Sequence, residues 1–172
     1  RLFDATVGSC VLWGCRSWSP RVQELRCLKV AYNGMLRRVC GQSRGGDEPY
    51  VDWIRRTTRR ARCMADRAGI RDWLRSFASA KWRWAGHVAR RGTYTWLWKL
   101  TSWRDAQWTQ VVMDLAHSQP RRPSTRRWMK WEQALQRYCL DNGLHNWIEL
   151  AMDKPVWLSH VDGFVDYVCR SV

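Results

Sequence analysis

Arg55, Arg56, Arg59, Arg60 and Arg62 place five guanidinium groups within eight positions, with no Asp or Glu among them. Like charges one helical turn apart repel one another. A sugar-phosphate chain relieves that repulsion, because each guanidinium offers forked donors to phosphate oxygens. The chemistry on offer is recognition: contacts to backbone phosphates position a strand without reading its bases. The plainer alternative for the same run is a solvated charged face.

A second basic group surrounds the stretch KWRWAGHVARR at 81–91, where Lys81, Arg83, Arg90 and Arg91 flank Trp82, Trp84 and His87. Trp82, Ala85, Val88 and Ala89 share one helical face, the pattern of a stripe that buries against a partner helix. His87 has no second His or Cys three or four residues away to chelate a metal alongside it. Trp82, Trp84 and His87 are therefore expected to hold helices together, with the four cations as a second line of phosphate contacts.

Other constellations carry less. Cys10, Cys15, Cys27, Cys40 and Cys63 form no C-x-x-C pair, which leaves zinc without its usual ligand spacing. A cysteine nucleophile working with His117 or His145 would lack both an oxyanion-hole loop and an orienting acid. No catalytic residue, metal ligand or cofactor site is expected in the chain itself.

The elements that position the basic groups follow from periodicity. Val22, Leu25, Leu28, Tyr32, Met35, Leu36 and Val39 predict a helix, opened by Ser19 and Pro20 and closed by Gly41. After a loop at 42–49, a basic amphipathic helix is expected from Tyr50 to Gly69, with Trp53, Thr57, Ala61, Met64 and Ala68 as its apolar stripe. A further helix is expected from Ile70 to Arg90, in which Gly86 marks a close crossing or a bend. Residues 2–13 read as a buried helix stopping near Gly14. Segment 93–103 fits strand alternation and helical spacing alike, with helix favoured because no second strand is available to pair with it. Beyond a loop at 117–125, Trp128, Trp131, Leu135 and Tyr138 outline another helix. A short helix around Trp147 follows, and then a last one opened by Pro155 with Trp157, Val161, Phe164, Val165 and Val168 inward. The expected fold is all-α, an irregular bundle of about six to eight helices with a basic N-terminal half.

Composition agrees with a polyanion partner. Thirty Lys and Arg against fifteen Asp and Glu leave a net +15, and residues 1–91 carry +13 of it, from twenty basic and seven acidic side chains. Residues 126–172 are neutral, with six of each sign. The expected organisation is a basic helical region over 1–116, a linker at 117–125 and a neutral helical connector over 126–172. Fourteen tryptophans against three phenylalanines supply wide plates that fill a helical core or stack on bases. Seven cysteines, an odd number at irregular spacing, fit reduced thiols in the nucleus or cytoplasm better than a secreted disulfide framework. No apolar run approaches the roughly 18 residues of a membrane span. The start at Arg1, without an initiator Met, suggests part of a longer reading frame.

Four blocks, in order, resemble the region downstream of the polymerase core in reverse transcriptases of non-LTR (LINE-type) retrotransposons. LFDATVGSCVLWGCRSW at 2–18 is similar to the family's L-F-x-x-x-V-x-P-x-L-L-Y-G-x-x-x-W, with Trp13 for the usual Tyr and Ser9 or Cys10 where Pro is common. MLRRVCGQSRGG at 35–46 is similar to R-R-x-L-R-x-I-L-G. The most specific block is W-A-G-H-V-A-R from Trp84 to Arg90. Finally, PRRPSTRRWMKW at 120–131 with ELAMDKPVW at 149–157 resembles G-R-P-x-x-R-W followed by A-x-D-R-x-x-W, Lys154 replacing the usual Arg.

The resemblance implies a thumb and the connector after it: helices that close over an RNA or RNA–DNA template–primer duplex. The polymerase chemistry would belong to an upstream palm, where paired carboxylates hold Mg²⁺. Asp166, within Phe164-Val165-Asp166-Tyr167, mimics half of such a motif but has no partner acid nearby. The expectation is a non-catalytic fragment that grips duplex through phosphates. Two readings from other classes are a free-standing basic helical module that docks an acidic protein, and a decayed element whose Trp96, Trp98 and Trp103 cluster favours aggregation.

Overall fold

In a computed structural model, residues 2–41, 43–91, 131–144 and 146–172 are described, and among them the chain is all-α, without a strand. Expectations for 93–130 lie outside the described residues. The chain forms two compact units, one of Arg1–Arg16, Pro20–Lys81 and Val161–Val172, the other of Ser17–Ser19 and Trp82–His160.

In the first unit a π-helical turn, Asp4–Gly8, runs into α1 (Ser9–Val11), and Gly14 then turns the chain at φ 66°. This segment is not a buried helix: Leu2 and Trp13 are more than four-fifths exposed, while Phe3, Val7, Val11 and Leu12 pack on the core from one side. Helix α2 (Val22–Val39) starts two residues later than Pro20 suggests. The cause is Glu24, whose carboxylate reaches back to accept from the Arg21 N–H at 2.7 Å, satisfying an orphan donor of the first turn. Gly41, at φ 58°, closes the segment as predicted.

Helix α3 (Tyr50–Arg67) returns antiparallel to α2. Arg37 donates to the Thr58 hydroxyl (2.9 Å) and Arg62 donates to the Asn33 side-chain oxygen (2.9 Å), which pins the register. The buried row of α3 is Thr57, Ala61 and Ala65. Met64 and Ala68, expected inward, are exposed. An i, i+4 row of small side chains lets the two backbones approach, and it inclines across the helix instead of following its axis. Tyr32, Leu36, Ala61, Ala65 and Trp73 form the core cluster. Trp73 is its plate, stacked on Phe3 at 6.0 Å and tilted against Tyr32 at 5.3 Å.

Helix α4 (Trp73–Arg90) begins where Asp72 caps it, accepting from the backbone N–H groups of Leu74 and Arg75 at 2.8 and 3.0 Å. That cap, not Ile70, sets the start. The helix contributes residues through Lys81 to the first unit and those from Trp82 to the second.

The second unit also holds α5 (Gln133–Asp141), α6 (Trp147–Met152) and α7 (Lys154–Ser159). Its buried residues include Trp82, Leu135, Tyr138, Trp147 and Trp157. The single helix expected after Pro155 is two. α7 ends at Ser159, and α8 (Val161–Arg170) belongs to the first unit with Val161, Phe164, Val165 and Val168 buried. The break has a long-range cause: the indole N–H of Trp82 donates at 2.8 Å to the Trp157 carbonyl, the acceptor a continuous helix would offer to the Val161 N–H.

No helix of the described residues is long and apolar enough to cross a membrane. None of the seven cysteines forms a disulfide.

Candidate nucleic-acid interface

The five clustered arginines of α3 lie outside its buried row, with Arg62 on the flank that meets α2, and their surroundings sort them. Arg59 and Arg60 are exposed and have no ion pair among the described residues. Arg55 has only a loose contact with Asp52 at 3.8 Å, both side chains largely in solvent, a pairing worth little in water. These three span about 140° of helix surface at 100° per residue. Arg56 is already held: its Nε and Nη2 donate to the two oxygens of Glu48, each at 2.8 Å. That forked contact keeps the Glu48 carboxyl below the usual carboxylate range. Arg62 is half-buried, its Nε given to Asn33, with the rest of the guanidinium left to bind.

The second line is thinner than its sequence suggests. Arg83 and Arg91 are exposed. Lys81 is only 3% exposed, with its ammonium 5.9 Å from the centre of the Phe77 ring, so it does not present a cation to a strand. Arg90 is half-buried and donates to the carbonyl of Ala151 in the last turn of α6. That carbonyl lacks an intrahelical partner, and a cation there also suits the helix dipole.

Burial lowers the Lys81 pKa from 10.5 to about 8. A lysine whose folded pKa is depressed binds fewer protons folded than unfolded between those values, so its contribution to stability rises with pH across that window. Relative to a Lys81→Met variant, the parent protein is expected to gain ~1–3 kcal/mol as pH rises from about 8 to 10.5. Urea titrations of both proteins at matched pH check it; a pH-independent difference would refute it.

Trp82, Trp84 and His87 differ in burial. Trp82 is fully buried and stacks on Trp157 at 3.8 Å, within 3° of parallel. Each indole donates to the other residue's carbonyl, Trp82 to Trp157 at 2.8 Å and Trp157 to Trp82 at 3.1 Å. Trp84 and His87, both half-buried, stack on each other at 5.3 Å. Gly86 is the close crossing: a Cβ there would lie 2.6 Å from Cδ1 of Trp157. The motif blocks that are far apart in sequence thus meet. Gly86 and Arg90 of the W-A-G-H-V-A-R block touch Trp157 and Ala151 of the block at 149–157, and Asp153 of that block caps α7 by accepting from the Val156 N–H at 3.1 Å. Asp166 lies in α8, paired with Arg75 at 3.0 Å. Among the described residues no three His, Cys, Asp or Glu side chains cluster so as to hold a metal ion.

Sequence reading missed a concavity. A cavity of about 440 Å³ at the turn end of the α2–α3 hairpin carries Arg37, Arg38, Tyr50 and Trp53 on its walls. The one sequence signal for it is the pairing of Gly34 and Gly41, which leaves backbone bare on that side.

No family model matches the chain, and no solved structure does. Over 167 residues, 92% of its length, the chain is 26% identical to transposon-derived protein F52C9.6 of Caenorhabditis elegans. It spans about half, 52%, of that relative. An all-helical chain with a one-sided arginine face is therefore similar, along nearly all of its length, to part of a transposon-derived protein.

Proposed function

We propose that this chain is the thumb and connector part of a non-LTR retrotransposon reverse transcriptase, which grips an RNA or RNA–DNA duplex through phosphate contacts from α3. The observation that carries this reading is the exposed face of Arg55, Arg59 and Arg60, two of them without any ion pair among the described residues. Arg62 adds to it, and Arg56 does so once released from Glu48; Arg83 and Arg91 are exposed cations of the second unit. The order of the four motif blocks and the transposon-derived relative support the family. The polymerase reaction and its Mg²⁺ belong in this reading to an upstream palm, and this part works inside the cell, in nucleus or cytoplasm.

Fluorescence anisotropy of the chain with labelled RNA–DNA duplexes of unrelated sequence tests the proposal. Three or more neutralised phosphates predict a log–log salt slope of about −3 or steeper, at ~0.9 per phosphate, the same for every sequence. Affinity that ignores salt sinks the reading. Displacement of duplex by polyglutamate at equal charge would turn it towards a module that docks acidic proteins.

A further inference from the structure

The cavity at the turn end of the α2–α3 hairpin lies off the arginine face, and its walls combine two kinds of chemistry. Its volume of about 440 Å³ falls in the range of small-ligand pockets. No carboxylate is among its described lining residues. Arg37 is oriented by its bond to the Thr58 hydroxyl, which leaves further guanidinium donors, and Arg38 beside it is exposed. Across from them Tyr50 is 61% exposed, its ring 5.6 Å from that of Trp53 at 44°. The indole N–H of Trp53 is shut off from solvent and has no acceptor, so it reports on a base packed against the ring without bonding to it. Gly34 and Gly41 keep the approach open: a Cβ at Gly34 would meet only the Arg37 guanidinium, at 3.9 Å, and one at Gly41 would meet nothing within 4 Å.

Paired guanidiniums next to an exposed aromatic face suit a phosphate carrying a flat base. A stacked duplex offers no such base along its length, but a strand end does. We propose that this cavity is a nucleotide subsite that takes the unpaired nucleotide at the end of a strand, its base against Tyr50 and Trp53 and its phosphate between Arg37 and Arg38. The source of the nucleotide rests on the duplex-gripping reading above; the subsite itself does not.

Two measurements on the full chain separate them. Anisotropy compares a blunt RNA–DNA duplex with the same duplex bearing one unpaired 3′ nucleotide. Proton–nitrogen spectra of the tryptophan side chains follow titration with AMP, the Trp53 signal being identified by its loss in Trp53→Phe. The overhang is expected to bind ~5–50-fold tighter, the range of one base stacked on an aromatic side chain. Tyr50→Ala and Arg38→Gln, both at exposed positions, are expected to abolish that preference and leave blunt-duplex affinity unchanged. AMP is expected to move the Trp53 signal. Equal affinity for blunt and overhanging duplex overturns the strand-end assignment, as does a preference that survives both substitutions. An AMP-induced shift without any duplex binding keeps the subsite and overturns the grip by α3.

Discussion

Trp157→Ala is expected to lower the stability of the second unit by ~3–5 kcal/mol, the cost of emptying a fully buried aromatic site. The side chain is completely shielded from solvent and stacked on Trp82. Its removal also leaves the Trp82 carbonyl without the indole donor it now has at 3.1 Å. Gly86→Ala attacks the same contact from the other side. Alanine is the better helix former by ~1 kcal/mol, yet its methyl would sit 2.6 Å from an indole carbon that has nowhere to move. Overpacking of this kind costs ~1–3 kcal/mol, so the crossing outweighs the propensity and the net effect is destabilising. The two substitutions share one contact and are expected to be non-additive: Gly86→Ala with Trp157→Ala is less damaging than the sum of the singles. Urea denaturation of the four proteins settles it, and simple additivity would show that the crossing is not what limits position 86.

The second large effect concerns binding. Replacing Arg59 and Arg60 together by Gln is expected to flatten the salt slope for duplex by about 2 and to weaken binding ~10–100-fold at low salt, because two exposed, unpaired cations are removed. Arg56→Gln should change the slope little, since that guanidinium is already neutralised by Glu48 at 2.8 Å. Glu48→Gln provides the opposite sign: it releases Arg56 and should steepen the slope by about 1. Both variants lie at the surface, so circular dichroism should show the fold unchanged. A slope that responds equally to all of these changes would mean that phosphate contacts are spread over the whole basic surface and not gathered on α3.

Much of the architecture is legible in the primary structure because the signals are local. The helices over 22–39, 50–67 and 73–90 announce themselves by apolar spacing, and Gly14, Gly41, Gly69 and Gly143 all adopt the left-handed turn that glycine permits. What is not legible depends on contacts between distant residues. The stripe from Trp157 to Val168 is periodic enough for one helix, and only the Trp82 indole, brought by another element, shows why it breaks at His160. Lys81 sits in a basic run and reads as a surface cation, yet it falls in register with Phe77, Ala78 and Ala85 and is buried with them. Arg56 and Arg90 look equivalent to their neighbours until a loop acid and a helix-end carbonyl claim them. The fold class follows from patterning, whereas the membership of the arginine face depends on which side chains find partners first.

The crossing at Gly86 also bears on ancestry. Positions 86 and 157 are coupled, since any side chain at 86 collides with the ring at 157. Lineages that drift at position 86 should therefore carry a smaller ring or an aliphatic side chain at position 157.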